Sequence, residues 1–278
     1  MGALLALASA VVYGVVDFAG GVLSRRVHFA VVSFLGQVGG LVLAVGIALL
    51  VPAAQMRSAD LLWGAVSGVG SGVAMHFLNR GLSRGSMSVV VPVSAVTGVA
   101  LSVVCGVLFL GDRPTLVAWL GICVTVPALW LVSGGTGARA EGTARVPVDG
   151  LLASLGVAVQ YIGLAQAGAA SGVWPVAAGR LAAVLLLLPN ARRHAPRFRQ
   201  PPEAWGKALA IGAGAALGLI LYLWAAQRQI LALAVVLASL YPAVPTLLGV
   251  TLLGERVSRG QAVGLASAAA AIVLLTLG

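Results

Sequence analysis

The chain has 278 residues, of which 60% are hydrophobic and only 9% charged. Average soluble domains hold roughly 45–50% apolar and about 25% charged residues, so a water-soluble globule of this composition could not cover its own surface, and the mean hydropathy of +1.06 agrees. This excludes a disordered chain, a disulfide scaffold, a collagen-like chain and a soluble enzyme, and reads as an all-α, polytopic membrane protein. The net charge is +10, from 17 Lys and Arg against 7 Asp and Glu. These basic residues sit in short gaps between apolar runs, as membrane orientation demands. They assemble no basic face, so no nucleic-acid partner is expected.

A membrane-crossing helix needs about 20 mainly apolar residues. Breaks at charges, prolines and Gly-Arg clusters predict ten spans, at 2–22, 29–51, 61–81, 86–110, 114–134, 150–170, 173–190, 205–227, 231–253 and 259–277. The first has no charged segment before it and reads as a retained span rather than a cleaved signal. The seventh is the shortest. Cys105 and Cys123 fall inside apolar runs without CxxC or metal-ligand spacing, and read as small buried hydrophobes. No metal site and no cofactor is expected.

The longest polar interruptions are 135–149 and 191–204. The first lies near the midpoint and divides the chain into 1–135, a linker 136–149, and 150–278. The two parts repeat. Leu110-Gly111-Asp112-Arg113 is followed by Gly121, and Leu253-Gly254-Glu255-Arg256 by Gly264, an offset of 143 in each case (254 − 111 and 264 − 121). The same offset sets Gln37 against Arg180. Five spans per part is odd, so the second part must enter the membrane upside down, a 5+5 inverted repeat of the kind secondary transporters use.

Charge counting is a separate test. The loops on one face carry 13 basic residues (Arg25, Arg26, Arg80, Arg84, Arg139, Arg145, Arg192, Arg193, Arg197, Arg199, Lys207, Arg256 and Arg259), while the other face carries 3, namely Arg57, Arg113 and Arg228. That bias puts the Arg-rich face in the cytoplasm, with both termini outside and the protein in the cytoplasmic (inner) membrane as a multi-pass protein.

An ionisable group inside a span costs about 2.5–3.5 kcal/mol at the helix centre and marks a pathway by default. Asp17 is a candidate proton-binding carboxylate, or else a partner of Arg25 or Arg26. Arg180 is a candidate anchor for an anionic group of the substrate, or else a structural ion-pair member. His76 and Asn79 share a face of the third span, and a histidine there suits a proton site, or else is a hydrogen-bonded packing residue. Tyr13, Gln160, Tyr161, Tyr222, Trp224 and Tyr241 are candidates for the aromatic walls and placed polar groups that ligand pockets combine, with the interfacial belt as the other reading for the four tyrosines. Pro92 and Pro242 interrupt helical hydrogen bonding and are candidate hinges. Glycines four apart, such as Gly64, Gly68 and Gly72, let helices approach closely in lipid.

Two parts that each close on a shared motif, LGDRP at 110–114 and LGERV at 253–257, resemble the drug/metabolite transporter superfamily, and within it the EamA family. The resemblance is most specific over 238–265 (ASLYPAVPTLLGVTLLGERVSRGQAVGL) and 78–114, and covers essentially the whole chain. It departs at Asp112, where Glu is usual, and carries the family's aromatic-Gly as Tyr13-Gly14. The resemblance implies export or exchange of small metabolites or drugs by alternating access. The fifth and tenth spans would sit at the periphery or a dimer-like interface, and the other eight would surround a central cavity. Family substrates range over amino acids, nucleotide sugars, purines and toxic compounds, so the resemblance names a mechanism and no single solute. The expected partners are a small-molecule substrate, the lipid bilayer and protons as a candidate coupling ion, for a monomer or homodimer.

Two other classes stand beside this one. An intramembrane enzyme would need a catalytic constellation. Gly81-Leu82-Ser83-Arg84-Gly85 fits G-x-S-x-G, but that motif works on a strand-to-helix turn over a sheet, and no sheet is expected. A non-transporting receptor or scaffold of the same fold is the third class. The chain is expected not to be an enzyme.

Overall fold

The computed structural model describes residues 2–85, 90, 91, 93, 94, 97, 101, 115–132, 145–226, 241 and 243–277. Among the described residues the secondary structure is helical. The long helices are α1 (Gly2–Arg26), α2 (Phe29–Leu50), α3 (Ser58–Leu82), α4 (Leu116–Val132), α5 (Arg145–Gln166), α6 (Trp174–Arg193), α7 (Pro202–Ala226), α8 (Ala243–Leu253) and α9 (Arg259–Leu277). α1, α2, α3, α6 and α7 are long and apolar enough to cross a membrane, and the apolar parts of α5, α8 and α9 are shorter. The protein is thus a multi-pass membrane protein. The expected fourth span at 86–110 falls mostly outside the described residues, as does the first part of the ninth.

Where helix and expectation differ, local chemistry explains it. α3 begins three residues before the expected span and takes in Asp60, which is hydrogen-bonded and buried. α5 stops at Gln166 rather than 170 because a turn follows, closing on Gly172 with φ +57°, a backbone region where a Cβ is strained. α6 runs 20 residues to Arg193, longer than the expected seventh span. Cys123 is exposed on α4 rather than buried, and Cys105 lies outside the described residues.

Contacts fix the helix directions. α2 packs on α3 as a hairpin, with Ser33 hydrogen-bonded to Met75 and Gln37 to Ser71. α3 and α6 run parallel: Gly64 lies on Pro175, Gly68 on Gly179 and Gly72 on Ala183. α2 and α7 are also parallel, Gly36 lying beside Ala208 and Gly40 beside Gly212. α1 lies antiparallel to α7, where the Ser9 hydroxyl donates to the Gly218 carbonyl at 2.7 Å and Val16 lies over Gly214. α5 lies antiparallel to α3, where Ser67 donates to the Gln160 carbonyl at 2.8 Å and Ala74 meets Gly156. Consequently α1, α3 and α6 run one way, and α2, α5 and α7 the other.

A Cβ on Gly68 would land inside the Gly179 backbone, and one on Gly212 inside the Gly36 backbone. These bare crossings replace the hydrophobic drive that lipid removes: dispersion contact between backbones holds the helices instead. α4 and α9 pack on each other through Ala128, Ala268, Ala271 and Ile272. Outward faces are apolar, as at Leu4, Val42, Leu50, Leu62, Leu116 and Leu185, the reverse of a soluble fold.

Each end of the bundle is tied across its two sets of helices. At the Arg-rich end, Arg25 donates to the Gly85 carbonyl at 3.1 Å and to Glu255 at 3.0 Å, and Arg80 Nε donates to Asp149 at 2.9 Å. At the opposite end Asp60 accepts from the Gly168 amide at 2.9 Å and the Ser171 hydroxyl at 2.6 Å, and the Gln55 backbone N–H donates to the Ala170 carbonyl at 3.1 Å. The loops that the charge count assigns to one face therefore meet at one end.

Candidate functional site

Between the two ends lies a cavity of about 90 Å³. Its polar lining comes from Tyr13 and Asp17 on α1, Ser71 and Asn79 on α3, Gln160 on α5 and Arg180 on α6, with Ser94 and Tyr241 completing it. Helical spacing explains the α3 contribution: Ser71, Met75 and Asn79 lie four residues apart and so share one face.

Arg180 is the centre of this arrangement. It is 3% exposed, and its Nη1 donates to Gln37 Oε1 at 2.9 Å and to Ser71 Oγ at 3.2 Å. Gln37, fully buried behind it, turns its amide nitrogen to the Ser71 carbonyl at 3.3 Å. Gly40 leaves room for the Arg180 stem, since a Cβ there would come 3.2 Å from Arg180 Cδ. The Tyr13 hydroxyl lies between Gln160 and Arg180. Its ring rests on Gly218 and faces Tyr241 with centroids 6.1 Å apart. Among the described residues no carboxylate forms an ion pair with Arg180, and none of Asp17's hydrogen bonds or ion pairs is made to a described residue. Neither Arg25 nor Arg26 pairs with Asp17; Arg25 is engaged by Glu255.

The 143-residue offset recurs here. Gln37 and Arg180 differ by 143 and touch. Asp17 and Gln160 differ by 160 − 17 = 143, and both line the cavity. Each pair sets one neutral amide against one ionisable side chain, so the two sets of corresponding positions differ in chemistry.

Of the residues singled out in the sequence, Asp17, Asn79, Arg180, Tyr13, Gln160 and Tyr241 come together around the cavity, and Gln37 supports them from behind. His76 does not join Asn79: it turns toward Phe29, with ring centroids 5.1 Å apart, while Asn79 donates to Ser33 at 3.1 Å. Trp224 packs with Trp174 against the Ala44, Val173 and Ile220 cluster, and Tyr222 is half-buried on α7 away from the cavity lining. Pro92, Pro242 and the side chain of Tyr161 lie outside the described residues. Sequence reasoning missed Ser71 and Ser94. Ser71 was detectable as the one hydroxyl in the glycine run 68–72, spaced eight residues from Asn79. Ser83, in the G-x-S-x-G stretch, donates to the Arg80 carbonyl at 2.7 Å and closes the end of α3.

The family model of EamA-like transporters matches residues 1–134 and again 150–277. The chain belongs to the EamA-like transporter family. This is a family of membrane transporters, not enzymes, and the match over two repeats is consistent with the drug/metabolite transporter superfamily. One solved protein crystal structure is similar over 99% of this chain and 96% of its own, with 18% sequence identity and a TM-score of 0.58; the likeness is one of fold. No curated protein matches the chain.

Proposed function

We propose that the protein is a secondary transporter that moves a small polar metabolite or drug across the cytoplasmic membrane, as an exporter or exchanger, by alternating access to the cavity around Arg180. The observation that carries this reading is a buried, charged cavity lined from both parts of a family-matched membrane protein. A buried cation donating only to neutral acceptors among the described residues is poised for an acidic group of a solute. The reading takes the two halves, 1–135 and 150–278 joined by the linker 136–149, as an inverted repeat. Its support is that α5, α6 and α7 each run antiparallel to the helix 143 residues earlier, and that Gln37 meets its own counterpart Arg180. Only residues at a two-fold axis can touch their own counterparts. Rocking of one half against the other would exchange the ties at the two ends. Asp17 is the candidate proton carrier. Pro92 and Pro242 are the candidate hinges, and the protein works as a monomer or homodimer.

The test is a thermal-shift screen of the purified protein against metabolites and drugs, followed by uptake of each hit into proteoliposomes. A ligand that binds the folded state raises its stability by mass action. A hit lost in Arg180→Gln and transported by wild type supports the reading. Hits that bind equally to Arg180→Gln, or that are never transported, contradict it.

A further inference from the structure

The chain has three histidines, His28, His76 and His194, and they converge outside the cavity at the Arg-rich end. They arrive from three places: the α1–α2 turn, α3, and the residue after α6. The His28 and His194 rings stack with centroids 4.8 Å apart and planes 28° from parallel. His28 also stacks on Phe29 at 4.5 Å, and Phe29 meets the edge of His76 at 5.1 Å. His28 belongs to the first half and His194 to the second, so the stack is a contact between halves.

Hydrogen bonding sets the protonation this arrangement needs. His28 is the N-cap of α2, and its Nδ1 accepts from the Ala30 amide at 3.3 Å. A ring nitrogen accepts only when it carries no proton, so the capping ring is neutral, with its one proton on the other nitrogen. A second proton would remove the cap and place positive charge at a helix N-terminus, where the macrodipole opposes it. His194 lies at the other kind of helix end: its Nδ1 is 2.9 Å from the Asn190 carbonyl, a bond it makes as donor in either protonation state. His28 is therefore the ring whose charging breaks something.

Its neighbours work against charging too. His194, Arg197 and Arg84 face His28, and His76, with Arg80 beside it, stands on the α3 side. The carboxylate whose field reaches His76 is Asp149, already bound by Arg80. Burial, followed by His194, Arg197 and Arg84, holds the His28 imidazolium below its usual range.

We propose that His28 and His194 form a proton-responsive closure between the two halves at the Arg-rich end, shut while the rings are neutral and released when His28 is protonated. The sign follows from linkage. A parted His28 titrates near its ordinary value of about 6.5, while the stacked ring binds a proton less readily. The stacked state thus carries its full weight above that pH and loses it as the pH falls. The closure lies apart from the cavity and does not depend on which solute is carried.

Hydrogen–deuterium exchange on the full-length protein in nanodiscs tests this without any ligand. Protection factors, corrected for intrinsic exchange at each pH, are compared between pH 7.5 and pH 5.5. Peptides spanning 27–34 and 190–199 should lose protection severalfold at the lower pH, while 64–72 should keep it. His28→Asn retains an N-cap acceptor and cannot titrate; alone and with His194→Gln it should abolish the pH response. Equal protection at both pH values in wild type overturns the proposal. So does a pH response that persists in the double variant. A pH response lost only in His76→Gln also overturns it, by moving the sensor to α3. Unfolding of a variant would show as lost protection at 64–72. In that event wild type at the two pH values, read with His194→Gln alone, still decides.

Discussion

Arg180→Gln separates a structural role from a functional one, because the two predict opposite signs for stability. The substitution removes the donors to Gln37 Oε1 and Ser71 Oγ. Leaving a buried acceptor unpaired costs about 1–3 kcal/mol. Against that, it removes a buried guanidinium with no ion-pair partner among the described residues, whose desolvation costs several kcal/mol. Glutamine can also restore one of the two bonds through its own amide. The balance is a variant as stable as wild type or more so, and unable to hold its solute. Were Arg180 a structural ion-pair member, its loss would instead destabilise by about 3–5 kcal/mol. Unfolding in detergent, read beside ligand-induced stabilisation, checks this directly. A large drop in melting temperature with ligand binding intact would refute the reasoning.

Three further outcomes follow from the same geometry. Gly68→Val drives a side chain into the Gly179 backbone and should destabilise by about 1–3 kcal/mol or more by overpacking; in thermal unfolding, Gly46→Val, where a Cβ meets open space, is the matched control and should leave the melting temperature unchanged. Asp60→Ala strips the acceptor from Gly168 and Ser171, and should raise severalfold the labelling of a cavity cysteine from that end; unchanged labelling would mean the tie does not close it. Epitope tags at 142 and 196 should be reachable only from the cell interior and a tag at 55 only from outside, and any other pattern contradicts the orientation drawn from the arginine bias.

What could be read from the sequence was what a repeat and a charge count encode. The offset of 143 was visible in two short motifs and marked Gln37 and Arg180 as counterparts; that the two side chains touch is something an offset does not encode. The same subtraction relates Asp17 to Gln160, which the sequence offered equally and which only the cavity makes meaningful. Side-chain direction was harder. Three residues along a helix is about 300° of rotation, so His76 and Asn79 share a broad face and still point at different neighbours. Ser71 left only its spacing from Asn79 as a signal, because a serine among glycines otherwise reads as packing in lipid. Asp60 was hidden because its partners, Gly168 and Ser171, lie more than a hundred residues away. Contacts between distant loops leave no periodic trace in a sequence.

The central claim is that a solute passes through the cavity between the two halves, open to one side at a time. Ser94 lines that cavity and is 2% exposed. With both native cysteines replaced, Ser94→Cys should react with a membrane-impermeant thiosulfonate applied to either face in separate preparations, and more slowly when a transported ligand is present. A cysteine at 94 that stays protected from both faces, or that is reached from one face under every condition, contradicts the account.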